Sequence, residues 1–377
     1  MTRWIDTNEI FQSFCLECAQ HKVLAVDTEF QWTSTYYAKL ALVQIGWDSE
    51  HCALVDALVV TQTEEFRRIL EDKSICKVFH EAGSDLPILY RWCHGVAQNI
   101  FDTRLAAAFC GLTQGCSLSK LIVHFTGVQL TKTETRSDWT LRPLTSEQLE
   151  YAADDIKQLP FLRDKLECGI RGCNNWDYFL QEMGQFSEPS FYEEVLPENY
   201  WKKLPHNHLD STHLAVLKEV SCWRETLARQ LNKARPRILS DAQIVEVVYL
   251  LPKELDDLKR VKRYWPKLIK SFGPEILKAV QRGLAVPVEE HPKVQRGYLS
   301  SGILKSRTSK IAKIIKENGT RRSIDPILIG SKKDAVSFVD AVEKNGPDVT
   351  HKLVAGWRKE LLGTALKNLA CNWEKIV

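Results

Sequence analysis

The chain has 377 residues, 44% of them hydrophobic and 26% charged, with a net charge of +3. That length implies two or three domains, and that balance excludes both a disordered chain and a fibrous repeat. No uncharged apolar run is long enough to span a bilayer, and Asp6 and Glu9 interrupt the stretch where a secretion signal needs apolar residues. A cytoplasmic protein without membrane contact is expected.

The N-terminal segment predicts an amphipathic helix with Ile10, Phe11, Phe14 and Cys18 on one face. It holds the one close pair among eleven cysteines, Cys15 and Cys18, but no second pair follows at zinc-ligand spacing. An odd number of scattered cysteines suits a reducing compartment. Val23–Val26 then reads as a buried strand ending at Asp27, and residues 39–46 and 52–56 add two strands that close an antiparallel meander. A helix is expected at 64–70, a strand at 76–80, a helix at 84–92, and a short strand turning into a helix over 100–109. Serine and threonine caps precede further helices that begin near Ser117 and Ser146. The order predicts an α/β domain, a mixed sheet flanked by helices, over residues 1–182.

Residues 183–210 lose periodicity in a Pro-, Ser- and Glu-rich stretch and read as a linker. Beyond it only helical patterns occur, at 214–232, 241–249, 255–261 and 274–282, then again at 304–317, 332–342 and 353–370. Two all-α modules, 211–290 and 291–377, are the natural division. Charge divides the chain as well. Residues 1–200 carry 17 Lys+Arg against 29 Asp+Glu (−12), and residues 201–377 carry 34 against 19 (+15). An acidic half joined to a basic half suggests metal binding in one and polyanion binding in the other.

Three acidic clusters carry the chemistry. Asp27 and Glu29 alternate on one strand and so project to one face, where two carboxylates repel unless a cation lies between them. Asp85 follows Gly83-Ser84 at a helix start. Tyr151 and Asp155 are four apart on a helix and share a face. Taken alone, each acid has an ordinary explanation as a helix cap, an ion-pair partner or a strand end. Together, four carboxylates and a phenol suit two hard divalent cations, Mg²⁺ or Mn²⁺, for phosphodiester hydrolysis.

VLAVDTEF, HEAGSDLPIL and YAADDIKQLPFL resemble, in order and spacing, the three exonuclease motifs of the DEDD superfamily, and the tyrosine four residues before the last aspartate marks its DEDDy branch. TSTYYAKLALVQI, FDTRLAAAFCG and TETRSDWTLRPLT agree with bacterial ribonuclease D, and the C-terminal modules resemble its helical HRDC (helicase and RNase D C-terminal) domains, the first through LAVLKEVSCWRETLARQLNKARPRILSD. The resemblance implies an α/β ribonuclease-H-like nuclease followed by two all-α HRDC domains. It implies a 3′→5′ exoribonuclease acting on structured RNA 3′ ends, chiefly tRNA precursors, and a monomer. It assigns Asp27 to both ions, Glu29 and Asp155 to the nucleophile-side ion, and Asp85 to the other, while Tyr151 orients the attacking water. A DNA exonuclease and a non-catalytic RNA-binding protein are the competing readings. Deleting residues 211–377 would weaken tRNA binding more than hydrolysis of short strands.

RNA contacts are expected from Lys132, Arg136 and Trp139 before the third motif, as phosphate ligands or a stacking ring, with packing against the protein an equal alternative for Trp139. In the basic half, Arg224, Arg229, Lys233, Arg235 and Arg237 gather around one helix end. Asp102 reads either as a cap of the next helix or as a neighbour of the site. His80, on an apolar strand, reads as a core histidine.

Overall fold

The structure is a computed structural model that describes residues 2–127, 137–206, 208–293 and 299–373. It divides into two compact units. One comprises Met1–Phe30, Leu40–Tyr192 and Gly297–Val377, the other Gln31–Lys39 and Glu193–Arg296.

The first unit opens with β1 (Thr2–Ile5), a short edge strand too brief to read from periodicity, and α1 (Asn8–Cys18). Thr7 caps α1 by accepting from the Ile10 N–H. The helix buries Phe11, Phe14, Cys15 and Cys18, whereas Ile10 is half exposed and lies off that face. Burial pushes the Cys18 thiol up to about 12, so the C-x-x-C pair packs as core thiols. Strands β2 (Val23–Gln31), β3 (Lys39–Gly46) and β4 (Cys52–Asp56) follow, then α2 (Glu64–Glu71), β5 (Cys76–Phe79), α3 (Ala82–Cys93), β6 (Ile100–Asp102) and α4 (Thr103–Ala108). The sheet order is β1-β4-β3-β2-β5-β6. The β3–β4 pair is antiparallel, as expected, while β1–β4, β2–β5 and β5–β6 are parallel, which makes the sheet mixed. Helices α5 (Leu118–Thr126), α6 (Ser146–Lys157), α7 (Leu159–Gly172) and α8 (Trp176–Gly184) complete this part.

The second unit holds α9 (Ser211–Gln230), α10 (Asp241–Leu250) and α11 (Pro266–Ala285). Helices α9 and α11 approach so closely that a Cβ on Gly283 would lie 2.5 Å from Val216 Cα. The expected helix at 274–282 therefore begins much earlier, at Pro266, and carries Pro274 within it. The segment 31–39, read from the sequence as part of the nuclease, belongs to this unit. Tyr36 is buried in its core, its hydroxyl donates to Glu225 (2.9 Å), and Ser34 O accepts from the Ala234 N–H.

The remaining helices, α12 (Ser301–Arg322), α13 (Pro326–Ile329), α14 (Lys332–Asn345) and α15 (Gly356–Cys371), were expected to form a module of their own. They share the nuclease core instead. Trp357 packs on Phe109 (5.3 Å between ring centroids) and Tyr178 (5.6 Å), and Arg358 ion-pairs with Glu182 of α8. Asp325 accepts the Gln114 N–H while its own N–H donates to Ala108 O. The expected linker is also structured. It forms 3₁₀ turns at Gln185–Ser187, Pro189–Tyr192 and Pro197–Lys203, because Phe186, Tyr192, Tyr200 and Leu204 find cores to enter. Among the described residues no helix is long and apolar enough to cross a membrane.

Candidate active site

Strand β2 enters the site from the core. Leu24, Ala25 and Val26 are fully buried and anchor it, and it emerges at Asp27, Thr28 and Glu29. Parallel pairing of Val23, Leu24 and Ala25 with Cys76, Lys77 and Val78 sets β5 alongside, so that α3 starts next to the strand end with Asp85 in its first turn. Helix α6 supplies Tyr151 and Asp155. Thr145, a threonine cap ahead of Ser146 as expected, closes a capping box with Gln148, and Ala152, Ala153 and Ile156 are buried on the inner face. The segment before α6 is tied down by Arg142, whose guanidinium donates to both oxygens of Asp56 (2.7 Å each) and to Ala41 O (2.9 Å).

The structure brings the five predicted residues together, and their electrostatics register it. Burial, then the charges of Asp85, Asp155 and Glu29, pushes Asp27 well above the usual carboxylate range. Burial, then Asp155 and Asp85, pushes Glu29 up to about 8. Asp85 is raised chiefly by burial, and the hydroxyl of Thr28, donating to its Oδ1 at 2.5 Å, opposes that rise. Burial, then the charges of Asp155 and Glu29, raises the Tyr151 phenol, so it stays protonated and available as a donor. Asp27, Tyr151, Asp154 and Asp155 line one cavity of about 350 Å³.

This donor set fits hard divalent cations. Every ligand is an oxygen, which suits Mg²⁺ or Mn²⁺ rather than zinc. Buried carboxylates whose charges raise one another's pKa lack the positive charge that would let all of them ionise. Among the described residues no three or more acidic, imidazole or thiol groups form a ready-made cage. The carboxylates make an open set, of the kind that Mg²⁺ completes with water and phosphate oxygens.

Several neighbours were not singled out from the sequence. Thr28 holds Asp85, and Asp154 lines the cavity beside Asp155. His80 is at the cavity wall rather than in the core, with Nδ1 2.9 Å from Thr103 Oγ1. Asp102 caps α4 through the N–H groups of Arg104 and Leu105 and also accepts from those of Glu81 and Ala82 at the start of α3. One buried carboxylate thus fixes the two helix starts nearest the site, joining the two readings that the sequence left open.

The expected RNA contacts fare differently. Lys132 and Arg136 lie outside the described residues. Trp139 is buried with Ala41, Leu42, Leu54 and Ala152 and stands 6.1 Å from the Tyr151 ring, so it packs behind the tyrosine instead of stacking on a base. Arg224 is fully buried, donating to Leu239 O (2.7 Å) and Asp241 (2.8 Å), which removes it from any phosphate. Arg235 donates to Glu225, itself fully buried, and Arg229 to Tyr36 and Val195 O. Both are structural for the same reason: a buried carboxylate and phenol need donors. Lys233 and Arg237 are exposed.

A family model described as 3′–5′ exonuclease matches residues 2–170, and one described as HRDC domain matches residues 213–280. Exonucleases of the former kind depend on divalent metal. The chain is 30% identical to ribonuclease D of Desulfotalea psychrophila over 95% of its own length and 96% of that protein. It is also 30% identical to ribonuclease D of Pseudomonas paraeruginosa, over 97% and 96%. Its fold is similar to the crystal structure of Escherichia coli RNase D, described as an exoribonuclease involved in structured RNA processing, with a TM-score of 0.90, 28% identity and 98% of each chain covered.

Proposed function

This chain belongs to the ribonuclease D family of 3′–5′ exoribonucleases, and we propose that it trims the 3′ ends of tRNA precursors and other structured RNAs, releasing nucleoside 5′-monophosphates. Asp27, Glu29, Asp85 and Asp155 would hold two divalent cations, Mg²⁺ or Mn²⁺, which would supply charge neutralisation at the phosphate and lower the pKa of the attacking water.

Everything else is done by the chain. Tyr151, kept protonated by its acidic neighbours, donates to the attacking water and orients it. Thr28, donating to Asp85, opposes the rise that burial imposes on its pKa. The water oxygen bonds to phosphorus as the bond to the 3′ oxygen breaks, and that oxygen takes up a proton. The products are a nucleoside 5′-monophosphate and an RNA shorter by one residue with a new 3′ hydroxyl. Exposed basic residues of the helical parts, Lys233 and Arg237 among them, contact the RNA body.

The observation that carries this reading is the convergence of four carboxylates and a phenol from β2, α3 and α6, with the carboxylate charges raising the pKa of Asp27, Glu29 and Tyr151. The test is a time course on a 5′-labelled tRNA precursor with a 3′ extension, in Mg²⁺ or chelator. A metal-dependent ladder shortening one nucleotide at a time, absent in Asp155→Ala, is expected. A single internal cut, faster cleavage of matched DNA, or tight binding without cleavage under any metal would each overturn it.

A further inference from the structure

The cavity that holds the carboxylates contains a single guanidinium among its described lining residues, that of Arg104. Four acids share that wall: Asp27, Glu81, Asp154 and Asp155. A polyanion entering here meets these acids, and beside the cations they would hold, Arg104 is the guanidinium that can meet it.

Arg104 is held by two side-chain partners. Its Nε donates to Gln114 O at 2.7 Å, and its outer arm ion-pairs with Glu81. Glu81 precedes α3 with φ +79° and ψ +48°, a left-handed conformation that costs a non-glycine residue about 1 kcal/mol. The carboxylate of Asp102 keeps both partners where they are, accepting the N–H groups of Glu81 (3.4 Å), Ala82 (2.8 Å) and Arg104 (2.8 Å). Strained backbone is therefore maintained to present an acid to an arginine, although the Glu81 side chain is 52% exposed and that of Arg104 30%. An ion pair that wet contributes little to stability. A planar guanidinium fork matches a phosphate better than one carboxylate at its edge.

We propose that Arg104 binds a non-scissile backbone phosphate of the RNA 3′ tail, and that Glu81 occupies the guanidinium until RNA displaces it. The proposal rests on the exoribonuclease reading of the cavity and adds a contact that positions the tail. Glu81 then acts as a placeholder, keeping Arg104 extended into the cavity and making phosphate compete for it.

The experiment scans single-stranded RNAs that carry one uncharged methylphosphonate at a time, 5′ of the scissile linkage. With the unaltered chain, KM rises about tenfold at one linkage, the effect of one charge-assisted hydrogen-bonded contact. Arg104→Ala shows that loss on unmodified RNA, mainly in KM rather than kcat, and no further loss at that linkage. Glu81→Gln, which leaves Arg104 in place, lowers KM about threefold. If Arg104→Ala responds to the scan as the unaltered chain does at every linkage, Arg104 touches no phosphate and the proposal fails. Should both variants raise KM and lower the melting temperature, the pair is only a brace, which also overturns it. Where Arg104→Ala does not fold, Arg104→Lys and Glu81→Gln carry the same scan. Loss of hydrolysis in Asp155→Ala tests the underlying activity separately, so either reading can fail alone.

Discussion

Thr28→Val removes one hydroxyl from the carboxylate cluster with almost no change of shape, which makes it the sharpest probe of how the site is tuned. Thr28 is 5% exposed and Asp85 4%, and their oxygens are 2.5 Å apart, so no water stands ready to replace the lost donor. Burial raises Asp85, the charges of Asp102 and Glu81 add to that, and the Thr28 hydrogen bond opposes both. A hydrogen bond to a buried charged group contributes about 1.5–3 kcal/mol. Its removal therefore moves the ionisation of Asp85 further upward and leaves less carboxylate at neutral pH. At about 1.4 kcal/mol per tenfold, kcat/KM at pH 7 is expected to fall by about 10- to 100-fold. Because a raised carboxyl pKa leaves the acid protonated at low pH, the deficit should narrow as pH rises. Initial rates of nucleotide release from a 5′-labelled single strand, taken from about pH 6 to 9 at saturating Mg²⁺, measure this. Thr28→Ser keeps the hydroxyl and should restore most of the rate. A Thr28→Val enzyme with wild-type rates across that range, or an equal deficit at every pH shared by Thr28→Ser, would refute the reasoning.

Three further outcomes are expected. Removing residues 297–377 uncovers Phe109 and Tyr178 and strands Glu182, so residues 1–296 should aggregate or melt far below the full chain; a soluble fragment with an unshifted melting temperature would sink the shared core. Lys77 is fully buried, its Nζ donates to Asp72 O, and burial pushes it down to about 8. Since the folded state gives up this proton before the unfolded one, stability from this site rises between about pH 8 and 10.5, and below that the buried ammonium is destabilising in full. Lys77→Met should therefore raise the stability measured in urea at pH 7 by about 1–3 kcal/mol, with the gain shrinking toward pH 10.5; an equal gain at both pH values contradicts the account. Arg224→Ala should lower stability by about 3 kcal/mol without altering the salt dependence of RNA binding, whereas Lys233→Ala with Arg237→Ala should reduce the slope of log affinity against log salt by about 1.5 and leave melting unchanged. The reverse pattern would show that the wrong arginines have been assigned to the core.

The candidate catalytic set was legible because its spacing is local. Asp27 and Glu29 share a strand face, and Tyr151 and Asp155 share a helix face, so two short periods disclose two pairs without any tertiary information. Asp85 was legible only through the motif around it. Alone it is an acid in the first turn of a helix, and what places it is the parallel register of β2 on β5 together with a hydroxyl 57 residues away. Arg142 and Asp56, 86 residues apart, could not be paired from sequence, yet they set the approach to α6. Within the basic cluster, Arg224 was misjudged for a different reason. Leu214, Leu217, Ser221, Arg224 and Ala228 follow one another at three- and four-residue steps and are all buried on α9. The period that marks a core face thus runs straight through Arg224, and it outweighs the chemical expectation that an arginine faces water. Glu225, adjacent and equally buried, supplies the reason the position tolerates a cation.

The charge asymmetry needs the same reconsideration. A −12 half and a +15 half suggest one acidic body that cuts and one basic body that grips. The fold does not divide there. Residues 31–39 with 193–296 carry 20 Lys+Arg against 14 Asp+Glu, and residues 297–377 carry 15 against 8. The excess of positive charge is therefore shared almost equally between the second unit and helices built into the nuclease core itself. Polyanion attraction acts through whatever charge is exposed and ignores domain boundaries. The unit that carries the four candidate carboxylates thus brings its own basic surface, with Lys305, Lys313 and Lys316 exposed along α12, so the proposed attraction of RNA does not rest on the second unit alone.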